Sequence, residues 1–499
     1  MNSKKDKVKL KKLPIGTQSF KVVREVKNAN VYIDKTREIL NIIDVGNNQK
    51  LFFSRPRRFG KSLLISTLKE LYQGNKELFY DTYAEKHWDF EKTNPVLHIS
   101  FGSGTVVNLE YLQNKLSDII YNNQCDYDIE ILKSKNIAGK FYELLKKIYL
   151  KTGKKIVVLI DEYDKAILDN INKTEIAVEV REELKGFYAT LKDADEYLEF
   201  VFITGVSKFS KVSLFSGLNN LKDLTLDPIA GELVGFTEQE ITDNLGEYLE
   251  DVDRKKMKKW YNGFNFLGEN TVYNPYDVLL FLDSKEYKAH WFETATPSFL
   301  IKLLKESDNF YHIPDLQNIT SGEKLLGSFD IENINLETLL FQTGYLTIKE
   351  KITYLGETSY LLQIPNQEIK KSLNDYLMTD YLGVYRDVNF IKRVGPIYEA
   401  LVSGNIEEFI KYLKVLFANI SYTNSLEKIA KYEGYYSSII YCLFYTMGID
   451  VIQEDITNHG RIDLTLKINN LIFIIEFKVE KSGLNALEQI KEKNIVKNT

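Results

Sequence analysis

The sequence predicts an α/β protein: a parallel sheet covered by helices in the N-terminal half, a mostly helical middle, and a smaller α/β unit at the C-terminus. Three observations predict it. From residue 14 to about 235, short apolar runs rich in Val, Ile and Phe alternate with helical patterns, as parallel strands and their crossover helices do. One of those runs, Ile156-Val157-Val158-Leu159-Ile160, is apolar without a break, the mark of a strand buried on both faces. Near the C-terminus, two strand-like stretches flank Asn469-Asn470, which suits a two-residue hairpin turn.

The elements follow in order. Strands are expected at Leu51–Phe53, Val96–Phe101, Ile156–Ile160 and Phe200–Thr204. Helical patterns lie between them, including Ser62–Tyr72, Ala138–Tyr149 and Val178–Lys192. Beyond residue 235 helical patterns dominate, broken by Trp260-Tyr261-Asn262-Gly263 and Tyr273-Asn274-Pro275-Tyr276. The last hundred residues read as helices, then a hairpin, then one more helix. This divides the chain into residues 12–235, 236–390 and 395–499. No internal repeat is visible.

Composition agrees with several packed units. The 499 residues exceed what one core holds. Apolar residues make up 44% and charged residues 27%, the balance of a globular chain. The net charge of −5 supplies no global attraction to nucleic acid. Lys4, Lys5, Lys7, Lys9, Lys11 and Lys12 crowd the first dozen residues; they suit a frayed solvated terminus or a phosphate-seeking arm. Two distant cysteines, Cys125 and Cys442, argue against a disulfide framework and for a cytoplasmic setting. The five histidines are scattered, and none has zinc-ligand spacing. No run of 18 apolar residues and no signal sequence is present, so no membrane partner is expected.

Phosphate chemistry is clearest at Ser54-Arg55-Pro56-Arg57-Arg58-Phe59-Gly60-Lys61-Ser62. A strand enters this loop and an amphipathic helix leaves it, the context of a P-loop. The loop backbone and the helix N-terminus would cradle phosphates. Lys61 would reach the β- and γ-phosphates, and the Ser62 hydroxyl would ligate magnesium. Arg57, Arg58, Phe59, Gly60 and Leu63 complete the candidate cradle. The motif asks for Gly at position 55, where this chain has Arg. Arg57 and Arg58 would either neutralise transition-state charge or pair with carboxylates of a neighbouring segment.

The second half of the site is the end of the apolar run, Asp161-Glu162. Ligands of open α/β sheets bind at the C-terminal ends of the strands. Asp161 would hold magnesium, directly or through water, and Glu162 would polarise the attacking water. A third strand ends in Thr204-Gly205-Val206-Ser207, where Thr204 or Ser207 would sense the γ-phosphate or simply end the strand. The strand at Val96–Phe101 lies between the loop strand and the Asp161 strand in sequence. That suggests the division of P-loop proteins with an inserted strand and a catalytic glutamate.

These residues carry a resemblance. Pro14-Ile15-Gly16, Tyr32-Ile33-Asp34-Lys35-Thr36, Ser54–Leu63, Leu159–Asp164 and Phe202–Asn220 together resemble the bacterial predicted AAA-ATPase-like family, whose loop is also written with Arg at the first position. The likeness runs from about residue 12 to 290, and Trp291–Leu304, Leu339–Ile348 and Ile364-Pro365-Asn366 extend it to about 370. It implies an ATP-binding P-loop NTPase fold with Mg2+.

The C-terminal unit holds a second constellation. If Asn469 and Asn470 form the hairpin loop, paired positions sum to 939. Ile462 then faces Phe477, Leu464 faces Ile475 and Leu466 faces Phe473, all apolar. Asp463 faces Glu476, and Lys478 falls on the same side as Glu476. Two carboxylates this close repel unless a cation lies between them, and hard oxygen ligands favour Mg2+ or Mn2+. The pattern Asp463…Glu476-Phe477-Lys478 resembles the PD-(D/E)xK nuclease superfamily. The resemblance implies a C-terminal restriction-endonuclease-like α/β domain, with Glu433 as its first acidic residue and Gln489 in a supporting position. It makes Glu433, Asp463, Glu476 and Lys478 the candidate catalytic set. Only 21 residues follow Lys478, with no good closing strand among them. A truncated, less stable or inactive domain therefore stays open.

The expected activity is ATP hydrolysis coupled to metal-dependent cutting of DNA, with defence or mobile-element biology implied by the resemblance. The alternative is a nucleotide-gated binding module. ATP, DNA and further copies of the chain are the candidate partners.

Overall fold

The computed structural model describes residues 10–45, 50–130, 132–208, 214–215, 218, 220–290, 318–322, 335–382, 388–418, 433–457 and 460–476. Contacts divide the chain into two compact units. One comprises residues 1–290 and 320–366, the other residues 291–319 and 367–499. Residues 236–290 and 320–366 thus group with the parallel sheet, and 367–390 with the C-terminal strands.

The first unit is built on five strands: β1 (Lys50–Ser54), β2 (Val96–Ser100), β3 (Ile156–Asp161), β4 (Leu198–Gly205) and β5 (Leu221–Asp223). All pairings in this sheet are parallel and the order is β2-β3-β4-β1-β5. Four of the strands are those expected from the apolar runs. The short β5 carried no such signal, because two of its three residues, Lys222 and Asp223, are charged. Every residue of β3 from Ile156 to Ile160 is fully buried, as two covered faces require. Long helices Lys61–Tyr72, Leu109–Asp126, Ile137–Thr152 and Thr174–Asp193 connect the strands. Asn108 and Asn136 cap two of them by accepting from Tyr111 N and Gly139 N.

Strand order decides where the chemistry falls. The strand inserted between β1 and β3 in space is β4, whereas β2 sits at the sheet edge beyond β3. In the register, Phe53 pairs with Thr204, Ile160 with Ile203, and Ser100 with Asp161. The phosphate loop, Thr204, Asp161-Glu162 and Ser100 therefore leave neighbouring strands at one sheet edge.

Residues 236–290 pack a second core of the same unit. Helices Glu238–Leu245, Arg254–Tyr261 and Pro275–Ser284 bury Ile241, Leu245, Met257, Tyr261, Val278 and Phe281 against Val31 and Ile33 of the N-terminal segment. Besides its helices, the middle stretch carries strands β6 (Ile319–Gly322), β7 (Thr347–Tyr354) and β8 (Glu357–Gln363). The last two form a hairpin turning at Leu355-Gly356, both with positive φ. Its outer residues alternate weakly, which hid it behind the helical patterns around it.

The second unit joins helices Gln367–Leu382, Val388–Val402, Ile406–Ala418 and Glu433–Thr446 to an antiparallel sheet. That sheet has the order β11 (Leu471–Ile475), β10 (Gly460–Ile468) and β9 (Asp450–Thr457). The turn is Asn469-Asn470, with Asn469 at φ 50°. Leu464 pairs with Ile475 and Leu466 with Phe473, as the turn residues predict. No described helix is long and apolar enough to cross a membrane.

Candidate functional site

The loop after β1 is held from inside by two side chains. Arg55 is buried to 1% exposure. Its guanidinium donates to Ser54 O at 2.9 Å, Thr225 O at 2.8 Å and Ala230 O at 2.8 Å. It lies between the Phe53 and Phe266 rings, 4.5 and 4.1 Å from their centroids. Phe59, also buried, packs edge-on against Phe264 and Phe266. Where the usual motif has Gly, this chain therefore bolts the loop to the segment after β5. Gly60 then takes φ 93°, a left-handed turn that favours glycine, and the helix starts at Lys61. The first amides of that helix have no carbonyl of their own helix to bond, which suits them to an anion.

Lys61 is buried, and its Nζ donates to Arg55 O at 2.9 Å and Pro56 O at 2.8 Å. Burial lowers its pKa to about 8, against the pull of Asp161, Asp164 and Glu162. Ser62 and Leu63 follow on the first turn, both half-buried. Asp161 ends β3 at 4% exposure, and its Oδ1 has no hydrogen-bond partner. Thr204, next to last in β4, which lies between β1 and β3, is fully buried, and its hydroxyl likewise has none. Buried polar atoms normally find partners. Two orphans at the ends of adjacent strands, beside the strand whose loop carries Lys61, fit a magnesium-bound phosphate: Ser62 and Asp161 would hold the metal, and Lys61 and Thr204 the phosphate.

Glu162 adopts φ 53° and is half-buried. Burial, then the neighbouring Asp161 charge, raises its pKa. A methyl group placed on Gly102, just after β2, would sit 3.3 Å from Glu162 Oε2 and 3.4 Å from Ser100 Oγ. The β2 loop thus forms one wall beside this carboxylate. Two lysines strap that loop: Lys115 donates to Phe101 O at 2.8 Å, and Lys165 to Gly104 O at 2.7 Å.

The two loop arginines separate. Arg57 is exposed, and its carbonyl accepts from Asn274 Nδ2 at 3.4 Å. Arg58, at φ 67°, lies over the Tyr276 ring at 4.5 Å. The aromatic contact was not foreseen. Tyr276 belongs to the Asn-Pro-Tyr break that begins the helix Pro275–Ser284, where Asn274 caps and Pro275 takes the first turn. Ser207 is not a free sensor, because its hydroxyl and amide both donate to Asp164. Asp164 was missed as a site residue, although it stands three positions after Asp161 on the same strand exit.

In the second unit, the β10–β11 register continued by one pair sets Asp463 opposite Glu476, just past the end of β11, and both are half-buried. Leu464 and Leu466 are fully buried. Glu433 opens the helix Glu433–Thr446, though its side chain is outside the described atoms. Lys478 and Gln489 lie outside the described residues. Among the described residues, no group of three or more His, Cys, Asp or Glu is arranged to hold a metal.

Residues 14–215 match the model of a predicted AAA-ATPase family, and residues 431–498 match the PD-(D/E)XK nuclease superfamily. The chain is 41% identical over 488 residues to a protein of Azotobacter chroococcum mcd 1 described as an uncharacterized protein in the vnfD 5'region, covering 97% of this chain and 92% of that one. A solved structure of the Aeropyrum pernix ORC1 protein in complex with DNA shares 12% identity at a TM-score of 0.22, over 71% of this chain and 96% of that one. With its parallel sheet, its phosphate loop and its C-terminal hairpin, the chain belongs to the predicted AAA-ATPase family and ends in a domain of the PD-(D/E)XK nuclease superfamily.

Proposed function

We propose that the first unit binds and hydrolyses ATP with Mg2+, and that this cycle governs a metal-dependent nuclease in the second. The observation that carries the reading is the pair of buried, unpartnered oxygens, Asp161 Oδ1 and Thr204 Oγ1, at the ends of adjacent strands beside the one that enters the phosphate loop. Magnesium would supply charge neutralisation of the phosphates. Lys61, now bonded to loop carbonyls, would exchange them for phosphate oxygens. Glu162, whose pKa burial and the Asp161 charge raise, would accept a proton from water as it attacks.

In the nuclease-like domain, Asp463 and Glu476 would share a divalent cation, Mg2+ or Mn2+, and Lys478 and Glu433 would complete the site. The cross-strand register supports the first pair. The substrate class is a phosphodiester, with DNA the candidate partner and self-assembly a further one. Defence or mobile-element biology would be the setting if foreign DNA is what is cut.

ATP turnover by wild type, Lys61→Ala and Glu162→Gln, with and without DNA, tests the ATPase. The reading expects loss in both variants, with Glu162→Gln still binding nucleotide. Wild type that binds no MgATP would sink it. Nicking of supercoiled DNA with Mn2+, lost in Asp463→Ala, tests the nuclease. Turnover without any cutting would leave a nucleotide-gated module with an inactive nuclease-like domain.

A further inference from the structure

We propose that Asp164 is the positioning residue that makes the end of β4 responsive to the third phosphate, by lacing it to the end of β3. This rests on the ATPase reading above and adds to it a residue that touches neither nucleotide nor metal.

The lacing is dense and local. Asp164 is buried to 1% exposure. Its carboxylate accepts from Val206 N at 3.1 Å, from Ser207 N at 2.6 Å and from the Ser207 hydroxyl. Tyr163, the residue before it, donates its amide to Thr204 O at 3.1 Å and its hydroxyl to Ser207 O at 3.0 Å. Tyr188 in turn donates to Tyr163 O at 3.2 Å and holds that ring's backbone in place. Between these bonds lies Gly205, where an added methyl would stand 2.4 Å from Asp164 Oδ1 and 2.6 Å from the Tyr163 ring. No side chain fits there, so the two strand exits are in direct contact.

The consequence follows from what each exit carries. The β3 exit carries Asp161 and Glu162, the metal and water residues. The β4 exit carries Thr204, whose hydroxyl is buried, unpartnered and one residue before the contact. A threonine on a strand end would be free to settle elsewhere. Pinning Thr204 O and residues 206–207 to Tyr163 and Asp164 fixes the hydroxyl in register with Asp161. Three donors, Val206 N, Ser207 N and the Ser207 hydroxyl, converge on one buried carboxylate. The lacing therefore sets the distance between the phosphate-sensing hydroxyl and the metal residue, and both exits respond to the γ-phosphate as one body.

A merely structural Asp164 would affect stability and leave nucleotide discrimination alone. A positioning Asp164 affects the chemical step and the preference for ATP over ADP. The full chain is used, with fluorescent ATP and ADP analogues for affinity and phosphate release for turnover. Asp164→Ala is expected to lower kcat at least tenfold, to leave ADP affinity within twofold, and to remove most of the ATP preference. Asp164→Asn keeps an acceptor for the Ser207 donors and is expected to recover most of that loss. Ser207→Ala removes one donor only and tests the idea should Asp164→Ala fail to fold; an unchanged kcat in Ser207→Ala would then overturn it. In a Thr204→Val background Ser207→Ala is expected to have no further effect, because both act through the same hydroxyl. Additive losses, or a lower melting temperature with an unchanged ATP-to-ADP affinity ratio, refute the proposal. Wild type without MgATP binding would instead defeat the ATPase reading itself.

Discussion

Arg55 decides whether this loop needs its arginine. Burial holds the guanidinium's pKa down to about 9 from an ordinary 12.5. That difference corresponds to a cost on the order of 5 kcal/mol for the charged form. Against it stand three hydrogen bonds from a charged donor, worth about 2 kcal/mol each. Two aromatic faces, Phe53 and Phe266, add about 1 kcal/mol each. The balance favours the native arrangement by about 3 kcal/mol. Arg55→Ala forfeits it and takes the guanidinium donor from the carbonyls of Ser54, Thr225 and Ala230. For a unit of this size the urea slope is about 3 kcal/mol per molar, so the midpoint of its transition should fall by about 1 M. Trp88 and Trp260 lie in the first unit and report on that transition. MgATP affinity should fall with it, since the Arg55 side chain ties down the loop that carries Lys61. Arg55→Lys keeps the charge without the fork and should fall between. An unchanged midpoint with unchanged ATP affinity would refute the reasoning and leave Arg55 an idle substitution for glycine.

Further outcomes follow from the same structure. Lys61 has a pKa near 8 in the free protein, and phosphate raises it, so ATP binding takes up a proton above that pH. MgATP affinity should therefore weaken about tenfold from pH 7 to pH 9, and a flat profile by calorimetry would count against the lysine as phosphate ligand. Gly205→Ala forces a methyl to 2.4 Å from Asp164 Oδ1; a loss of at least about 2 kcal/mol in unfolding free energy is expected. Thr465 is fully buried with no hydrogen-bond partner for its hydroxyl. Thr465→Val should stabilise the C-terminal unit by about 1 kcal/mol, read as a raised melting temperature of its transition.

Much of the site was legible because its signals are local. A continuous apolar run, a basic loop before a helix and a two-residue Asn turn each depend on neighbours in sequence. From them came Lys61 at a helix start, Asp161 at a strand end and the β10–β11 register with Asp463 opposite Glu476. The β7–β8 hairpin was not legible because its strands lack a clean alternation, and the short β5 was not because its pairing partner, β1, lies about 170 positions away in the chain.

The amino-acid sequence by itself determined the α/β class, the loop between β1 and the helix at Lys61, Asp161 at a strand end and the hairpin pairing. Each follows from periodicity or turn chemistry over a dozen residues or fewer. Only the tertiary structure decided that β4, rather than β2, lies between the loop strand and the Asp161 strand. Strand order is set by packing across the whole sheet, and no local pattern encodes it. The same holds for Arg55 reaching Thr225 and Ala230, for Arg58 on Tyr276, and for Asp164 gripping Ser207. The partners in these contacts lie about forty to more than two hundred positions apart, so they become neighbours only when the sheet closes.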